Sequence, residues 1–405
     1  MSLQEFFGIK ESYRLPDKIK EALLSDNAEE TIKEIKRSIS CDIRDMFQEE
    51  QGDRKNLKQD FTPDCICDIV SQLLIGGTCI DMCSGTGALS KFAYLKCGIK
   101  INEFEFSERT IPFALLDACI NGMEGTISKA DCLRDKVDET YLLERHGYIS
   151  VPVKQEPRPA GAYDNVIMNP PYSMSFPEAD STPIMGHKIP KSKADYGFLL
   201  RGLEHLNQCG RLIAILPYGI LFRGAGEGKI REWMVKERLI HAVIGLPDKL
   251  FLNTSIPVFI FVLQRKSENV LFIDASKDFV KKSAQNDMTE EQISRVVSTY
   301  LNRNEIDRYS HIASYSEIEE NDYNLNIPRY VDSFIPEPLP DATEILKNLK
   351  SIDEEEQRVK TELYKTLSNL IGNDEDMKIV QDHKRIIKPN KIKNNYEQMR
   401  LNFET

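Results

Sequence analysis

Asn169-Pro170-Pro171-Tyr172 closes an apolar run that begins at Val166. Each proline lacks an N–H and fixes its own φ, so the pair stiffens the turn and leaves carbonyl oxygens without competing donors. The Asn169 side-chain oxygen and the Pro170 carbonyl can then accept both hydrogens of one planar NH2 group. That draws the nitrogen toward tetrahedral geometry and frees its lone pair. Neither acceptor is a general base, so activation rests on hydrogen bonding and placement. Pro171 completes the turn, and Tyr172 offers a flat face for a stacked base, worth about 1–3 kcal/mol. The bland alternative is a strand terminator with a ring that caps the core.

A second constellation lies upstream. In "IDMCSGTGALS" (80–90), Asp81 ends an apolar strand, and Ser84, Gly85, Thr86 and Gly87 turn the chain into a helix. Glycine there admits positive φ and close approach of a ligand to the backbone. No Lys-Ser or Lys-Thr follows, which excludes a phosphate-cradling P-loop. About 20 residues on, Glu105 stands where an acid commonly grips ribose hydroxyls. Asp131 ends the next strand, placed to accept from an adenine amino group. Three acids at successive strand ends beside a glycine turn fit an adenosine-containing ligand without phosphates. Together with a site for a planar amine, they point to S-adenosylmethionine and methyl transfer.

Those residues need a scaffold that delivers strand ends to one edge. Strands are expected at 78–82, 101–106, 125–133, 163–169, 210–217, 240–247 and 256–264, with helices from Asp64, at 88–95, 111–122, 195–207 and 228–237. The alternation predicts an α/β fold, a mostly parallel doubly wound sheet with ligands beyond its carboxyl ends. Residues 134–160, rich in charge and proline, read as an irregular insertion, and 173–193 as a mobile loop. Leu3, Phe6, Ile19, Leu23, Ile32 and Ile35 mark short amphipathic helices in residues 1–57. A catalytic domain at 58–332 follows, then a linker at Pro336, Pro338 and Pro340 and a helical region ending at 405. In that region Ile345, Leu349, Ile352, Val359, Leu363, Leu367 and Leu370 form one apolar stripe seeking a partner surface, and Lys384 to Arg400 form a basic tail.

Composition sets the outer bounds. A chain of 405 residues exceeds one ordinary core. The clean apolar run near the middle, Ile256 to Leu263, is too short to span a bilayer, and the start carries no signal-peptide pattern, so a cytoplasmic protein is expected. Nine cysteines, an odd number without zinc-knuckle spacing, argue against a disulfide framework and a structural metal. The net charge of −11 disfavours unaided binding to a polyanion.

On these motifs the chain resembles the modification subunits of type I restriction–modification systems, N6-adenine DNA methyltransferases of the gamma motif order. The resemblance covers roughly residues 58–332, and its distinctive stretches are "DFTP" (60–63), 216–263 and "NDYNLNIPRYV" (321–331). It implies a Rossmann-like S-adenosylmethionine-dependent methyltransferase sheet with helical extensions at both ends. Phe61, Thr62 and Pro63 would line the cofactor pocket with Asp81, Ser84, Gly85, Thr86 and Gly87. Glu105 would hold the ribose and Asp131 the cofactor adenine. Asn169, Pro170, Pro171 and Tyr172 would hold a flipped adenine, with Phe251 packed on its other face. Implied partners are DNA, a specificity subunit, a second modification subunit and a restriction subunit. Ser84 stands where the family usually has glycine, and its long N-terminal helical domain is here confined to residues 1–57. Two other readings stay open: methylation of another planar nitrogen, in protein glutamine or RNA, and a non-catalytic subunit of a methyltransferase assembly.

Overall fold

The computed structural model describes residues 1–39, 42–50, 61–176, 183–252, 256–282, 285–333 and 341–388. The chain divides into two compact units, Met1–Ser333 and Phe334–Thr405. The strands in chain order are β1 (Cys79–Asp81), β2 (Ile101–Glu105), β3 (Gly125–Asp131), β4 (Lys136–His146), β5 (Ile149–Gln155), β6 (Tyr163–Met168), β7 (Leu206–Pro217), β8 (Ile240–Gly245), β9 (Val258–Gln264), β10 (Val270–Asp274), β11 (Val280–Lys281), β12 (Asn286–Asp287) and β13 (Ser310–Ala313). Eleven of them form one sheet, in the order β13-β10-β8-β9-β7-β6-β1-β2-β3-β4-β5. β3, β2, β1, β6 and β7 run parallel, and β9 lies antiparallel between β7 and β8.

Period-two alternation shows why these segments are central strands. Val166 and Met168 of β6, Leu212 and Ala214 of β7, and Phe259 and Phe261 of β9 bury into one core. Ile167, Ile213, Ile260 and Val262, one residue out of phase, bury into a second core on the opposite face. Both faces are covered, so the strands are apolar throughout. Helices Asp195–Glu204 and Ala225–Lys236 supply the first layer, and Asp64–Leu73, Ala88–Cys97 and Glu290–Asn302 the second.

Several expectations need correction. Residues 134–160 are no irregular insertion: β4 and β5 form an antiparallel hairpin in register from Thr140–Gln155 to His146–Ile149. It sits at the sheet edge, where charges share a face with its apolar residues and obscure its period. β10, the helix Glu290–Asn302 and β13 were also not anticipated. The loop after Tyr172 is tied down in its described residues, Phe176 N donating to the Lys191 carbonyl at 2.7 Å and Ala194 N to that of Met174 at 2.8 Å.

The N-terminal helices share a third core with the helix Ile111–Ile120 and the β4–β5 hairpin, through Leu3, Ile19, Leu23, Ile32, Ile35 and Phe47. The described residues of the second unit form two helices, Ala342–Ser368 and Asp374–Ile386. Asp341 and Asn373 cap their amino ends by accepting from Thr343 N and from Glu375 and Asp376 N. The linker prolines and the basic residues beyond Lys388 lie outside the described residues. Among the described residues no helix is long and apolar enough to cross a membrane.

Candidate active site

The carboxyl ends of β1, β2, β3 and β6 border one cavity of about 480 Å3. The turn after β1 makes its floor. Gly85 and Gly87 adopt φ of +58° and +85°, which an L side chain resists. A Cβ on Gly87 would also lie 3.3 Å from the Glu103 carboxylate. The turn then enters the helix Ala88–Cys97. Asp81 stands behind it, fully buried, with Oδ2 accepting from Ser90 Oγ at 3.1 Å and Oδ1 near Cys83 N at 3.4 Å. Burial pushes its carboxyl up to about 7. Glu103 is buried beside it, and burial together with the Asp81 charge drives its carboxyl well above the usual range. These two acids brace the turn from within.

Glu105 differs. Its Oε2 accepts from Gly85 N at 2.9 Å and its Oε1 from Ser107 N at 2.7 Å, so the carboxylate is fixed at the cavity wall. Burial raises its pKa against those two backbone donors. The Asp131 carboxylate also lines the cavity and pairs with Arg134, whose backbone N–H reaches Oδ1 at 3.1 Å and whose guanidinium bonds Oδ2. The hydroxyls of Ser84 and Thr86 are buried in the same wall, and that of Thr86 has no hydrogen-bond partner among the described residues. A buried polar atom of that kind calls for a ligand to satisfy it.

The opposite wall is the turn after β6. Asn169 Nδ2 donates to Thr62 Oγ1 at 2.9 Å, and Oδ1 accepts from Tyr172 OH at 2.8 Å. Hydroxyls at both ends hold the amide plane. Ser173 next takes φ of +51°, and its N–H donates to the buried Asp195 carboxylate at 2.8 Å. That bond anchors the turn to the helix Asp195–Glu204. The Tyr172 ring packs edge-on against Phe251, with centroids 6.3 Å apart.

Of the residues singled out from sequence, Phe61, Thr62, Ser84, Gly85, Thr86, Glu105, Asp131, Asn169, Pro170, Pro171 and Tyr172 all line this cavity. Pro63, Asp81, Gly87 and Phe251 are not part of its lining. Pro63 caps the helix Asp64–Leu73, and Phe251 is buried behind Tyr172. Among the lining residues that the sequence reading did not single out are Phe106, Arg134 and Phe47. Phe106 directly follows the strand-end acid and is 59% exposed, a signal available in the sequence. Arg134 also had a local signal, three residues after Asp131. Phe47 had none: it arrives on the helix Ile43–Glu50, packed against Phe61 and Phe113.

Strand order, an antiparallel β9 between β7 and β8, and a cavity at the strand carboxyl ends define the class: the fold of S-adenosylmethionine-dependent methyltransferases. The chain belongs to the N-6 DNA Methylase family, which it matches over residues 44–337. It is 32% identical over 182 residues to the type I restriction enzyme MpnII methylase subunit of Mycoplasma pneumoniae, covering 42% of this chain and 34% of that protein. It is 31% identical over 223 residues to the MjaVII methylase subunit of Methanocaldococcus jannaschii, covering 50% and 38%. The matches thus span little more than a third of those relatives' length. Among solved structures, a type I restriction–modification methyltransferase subunit from Streptococcus thermophilus aligns with a TM-score of 0.59 and 33% identity, covering 76% of this chain and 65% of that one. A modification subunit from Vibrio vulnificus, at 17% identity and a TM-score of 0.53, shares the fold.

Proposed function

We propose that this protein transfers a methyl group from S-adenosylmethionine to N6 of an adenine swung out of duplex DNA, as the modification subunit of a type I-like restriction–modification system. The observation that carries the reading is that one cavity joins two sites: an acid-and-glycine wall made for adenosine, and an Asn-Pro-Pro-Tyr wall made for a planar amine. Glu105 would hold the ribose and Asp131 the adenine amino group of the cofactor. Phe47, Phe61 and Phe106 would supply apolar walls, and the Thr86 hydroxyl would gain a partner. When bound, the cofactor supplies an electrophilic sulfonium methyl group.

The chain's own residues do the rest. Asn169 Oδ1 and the Pro170 carbonyl accept the two N6 hydrogens and localise the lone pair. Thr62 holds the amide from behind, so its rotation is not lost at each turnover. The Tyr172 face, backed by Phe251, stacks on the extruded base and offsets part of the few kcal/mol that flipping costs. Sequence recognition falls to a specificity subunit seated on the helix Ala342–Ser368, with a second modification subunit and a restriction subunit completing the assembly in the cytoplasm.

The test incubates the chain with methyl-labelled cofactor and DNA, with and without the co-encoded specificity subunit. Digested nucleosides are then read by mass spectrometry. Labelled N6-methyladenine that depends on the partner is expected. Label found only in protein or RNA would replace this reading with methylation of another planar nitrogen, and no label anywhere would leave a non-catalytic subunit.

A further inference from the structure

We propose that Arg44 is a positioning residue for the methyl acceptor: it clasps the turn 62–64 and, through the Thr62 hydroxyl, sets the plane of the Asn169 amide. The inference rests on the DNA-methylation reading above and extends its site to the N-terminal helices. Arg44 Nη1 donates to Asp64 Oδ1 at 2.7 Å and to the Thr62 carbonyl at 3.4 Å. One charged nitrogen thus bridges both ends of the turn, and the ion pair makes the shorter, stronger contact. Thr62 in turn accepts from Asn169 Nδ2 through Oγ1 at 2.9 Å.

The chain between these contacts is stiff enough to pass the restraint on. Pro63 has φ of −61° and confines the backbone of the residue before it. Thr62 is buried, and its branched Cβ leaves it few rotamers. Fixing its carbonyl therefore fixes where its hydroxyl lies. Arg44 is itself anchored. Its backbone N–H donates to Asp42 Oδ1 at 2.8 Å, and Asp42 Oδ2 accepts at 3.1 Å from Lys91, on the helix that follows the glycine turn. Three residues further along the helix Ile43–Glu50, on the same face, Phe47 lines the cavity and packs on Phe61 with centroids 5.7 Å apart. One helical face thus holds residues 61–64 from both ends, ring on ring at Phe61 and guanidinium on carboxylate at Asp64. The Asn169 amide must present Oδ1 to the substrate amine. A displaced Thr62 oxygen would tilt that plane, and misplacement of an activating group lowers the rate even where binding survives.

The test measures single-turnover methylation at saturating cofactor and DNA, with the co-encoded specificity subunit. It compares the full-length wild type with Arg44→Gln, Arg44→Lys, Thr62→Val and the double variant Arg44→Gln/Thr62→Val. Arg44→Gln should lower the rate about three- to tenfold, the worth of one ordinary hydrogen bond, with cofactor and DNA affinities unchanged. Arg44→Lys, which keeps a charge for Asp64, should recover part of the loss. Thr62→Val should lower the rate at least as much as Arg44→Gln. In the double variant the Arg44 change should add nothing, because its route to Asn169 is already cut. Losses that multiply independently would show a merely structural role and overturn the inference. Asp64 is exposed, so Asp64→Asn with Thr62→Val gives the same cycle if Arg44→Gln does not fold. A second readout needs no cofactor. In a chain isotope-labelled at asparagine, the Asn169 side-chain amide resonance should move in Arg44→Gln in the same direction as in Thr62→Val, and an unmoved resonance would also overturn the inference. No labelled adenine from the wild type with its partner removes the methylation reading, whereas the amide resonance still decides whether Arg44 holds Asn169.

Discussion

Phe259, Phe261 and Leu263 of β9 are wholly buried, whereas Ile345, Leu349, Ile352, Val359, Leu363 and Leu370 in the second unit are each between 43% and 61% exposed. Both sets follow a clear period. In β9 it is two, and each face of the strand finds a helical layer. In the long helix the steps from Ile345 to Leu363 are four, three, seven and four residues, the spacing of a coiled-coil seam with Glu356 at the intervening place, and Leu370 follows just past the helix end. The first unit consumes its apolar surface internally; the second keeps one outside. A periodic apolar stripe therefore has different meanings according to whether the same chain supplies its cover.

The largest effect expected from this contrast is on stability. Phe261→Ala should cost about 3–5 kcal/mol in denaturant unfolding, because it opens a cavity in a packed core. Leu363→Ala should stay within about 0.5 kcal/mol while weakening co-purification with the specificity subunit. Equal costs would erase the distinction between the two units. Within the first unit, Asn169→Ala should lower the single-turnover methylation rate about 10²–10³-fold, in the range for losing one placed transition-state hydrogen bond. Its cofactor affinity and unfolding midpoint should hold. Tyr172→Phe keeps the ring but loses its bond to Asn169, so a milder fall in rate with normal base capture is expected. Glu105→Ala should weaken cofactor binding about ten- to hundredfold by calorimetry, the worth of hydrogen bonds to a charged group. Deleting residues 341–405 should leave that affinity unchanged.

The smallest effect is one of pH. Burial raises Asp81 to about 7 and Asp117 to about 6, from an ordinary value of 3.8. The folded chain therefore holds protons that the unfolded chain releases. Their contribution is present in full below about pH 4 and is lost as pH climbs toward about 7. Asp81→Asn should flatten the midpoint across that window and leave the variant relatively more stable at about pH 8. Thermal melts would check this, and the same melts on a chain lacking 341–405 should show the same profile.

The parts legible in sequence were those with a local signature. Strand-end acids, the glycine turn and the Asn-Pro-Pro-Tyr turn need only a few adjacent residues to declare themselves, and buried parallel strands read as apolar runs. The hairpin at 136–155 was lost because charges sit on the same face as Tyr141 and Leu143 at the sheet edge: Glu139 precedes Tyr141 by two and accepts from its hydroxyl at 2.6 Å, and Lys154 lies opposite Tyr141 and pairs with Glu139. Their charge broke the apolar alternation. Phe47 was lost for a different reason: its place in the cavity wall depends on how the N-terminal helices dock, in part through Lys91, which bridges Asp42 and Asp117 at 3.1 Å each. Asp81 and Glu105 look alike in sequence, as acids at strand ends. Only packing shows that one braces the turn from behind and the other reaches the cavity.

Among the described residues the sheet of eleven strands is open and ends in two unpaired margins. At one of them, β5 carries Pro152, which brings no N–H to an incoming chain, and Lys154 close by. At the other, β13 is only four residues long, and its His311 is held between Glu305 and Glu317 at 2.6 and 3.0 Å. Neither margin offers a straight, apolar template on which another copy could lay down a strand. The sheet thus cannot readily grow into a filament, and the assembly proposed above would have to meet this chain helix to helix.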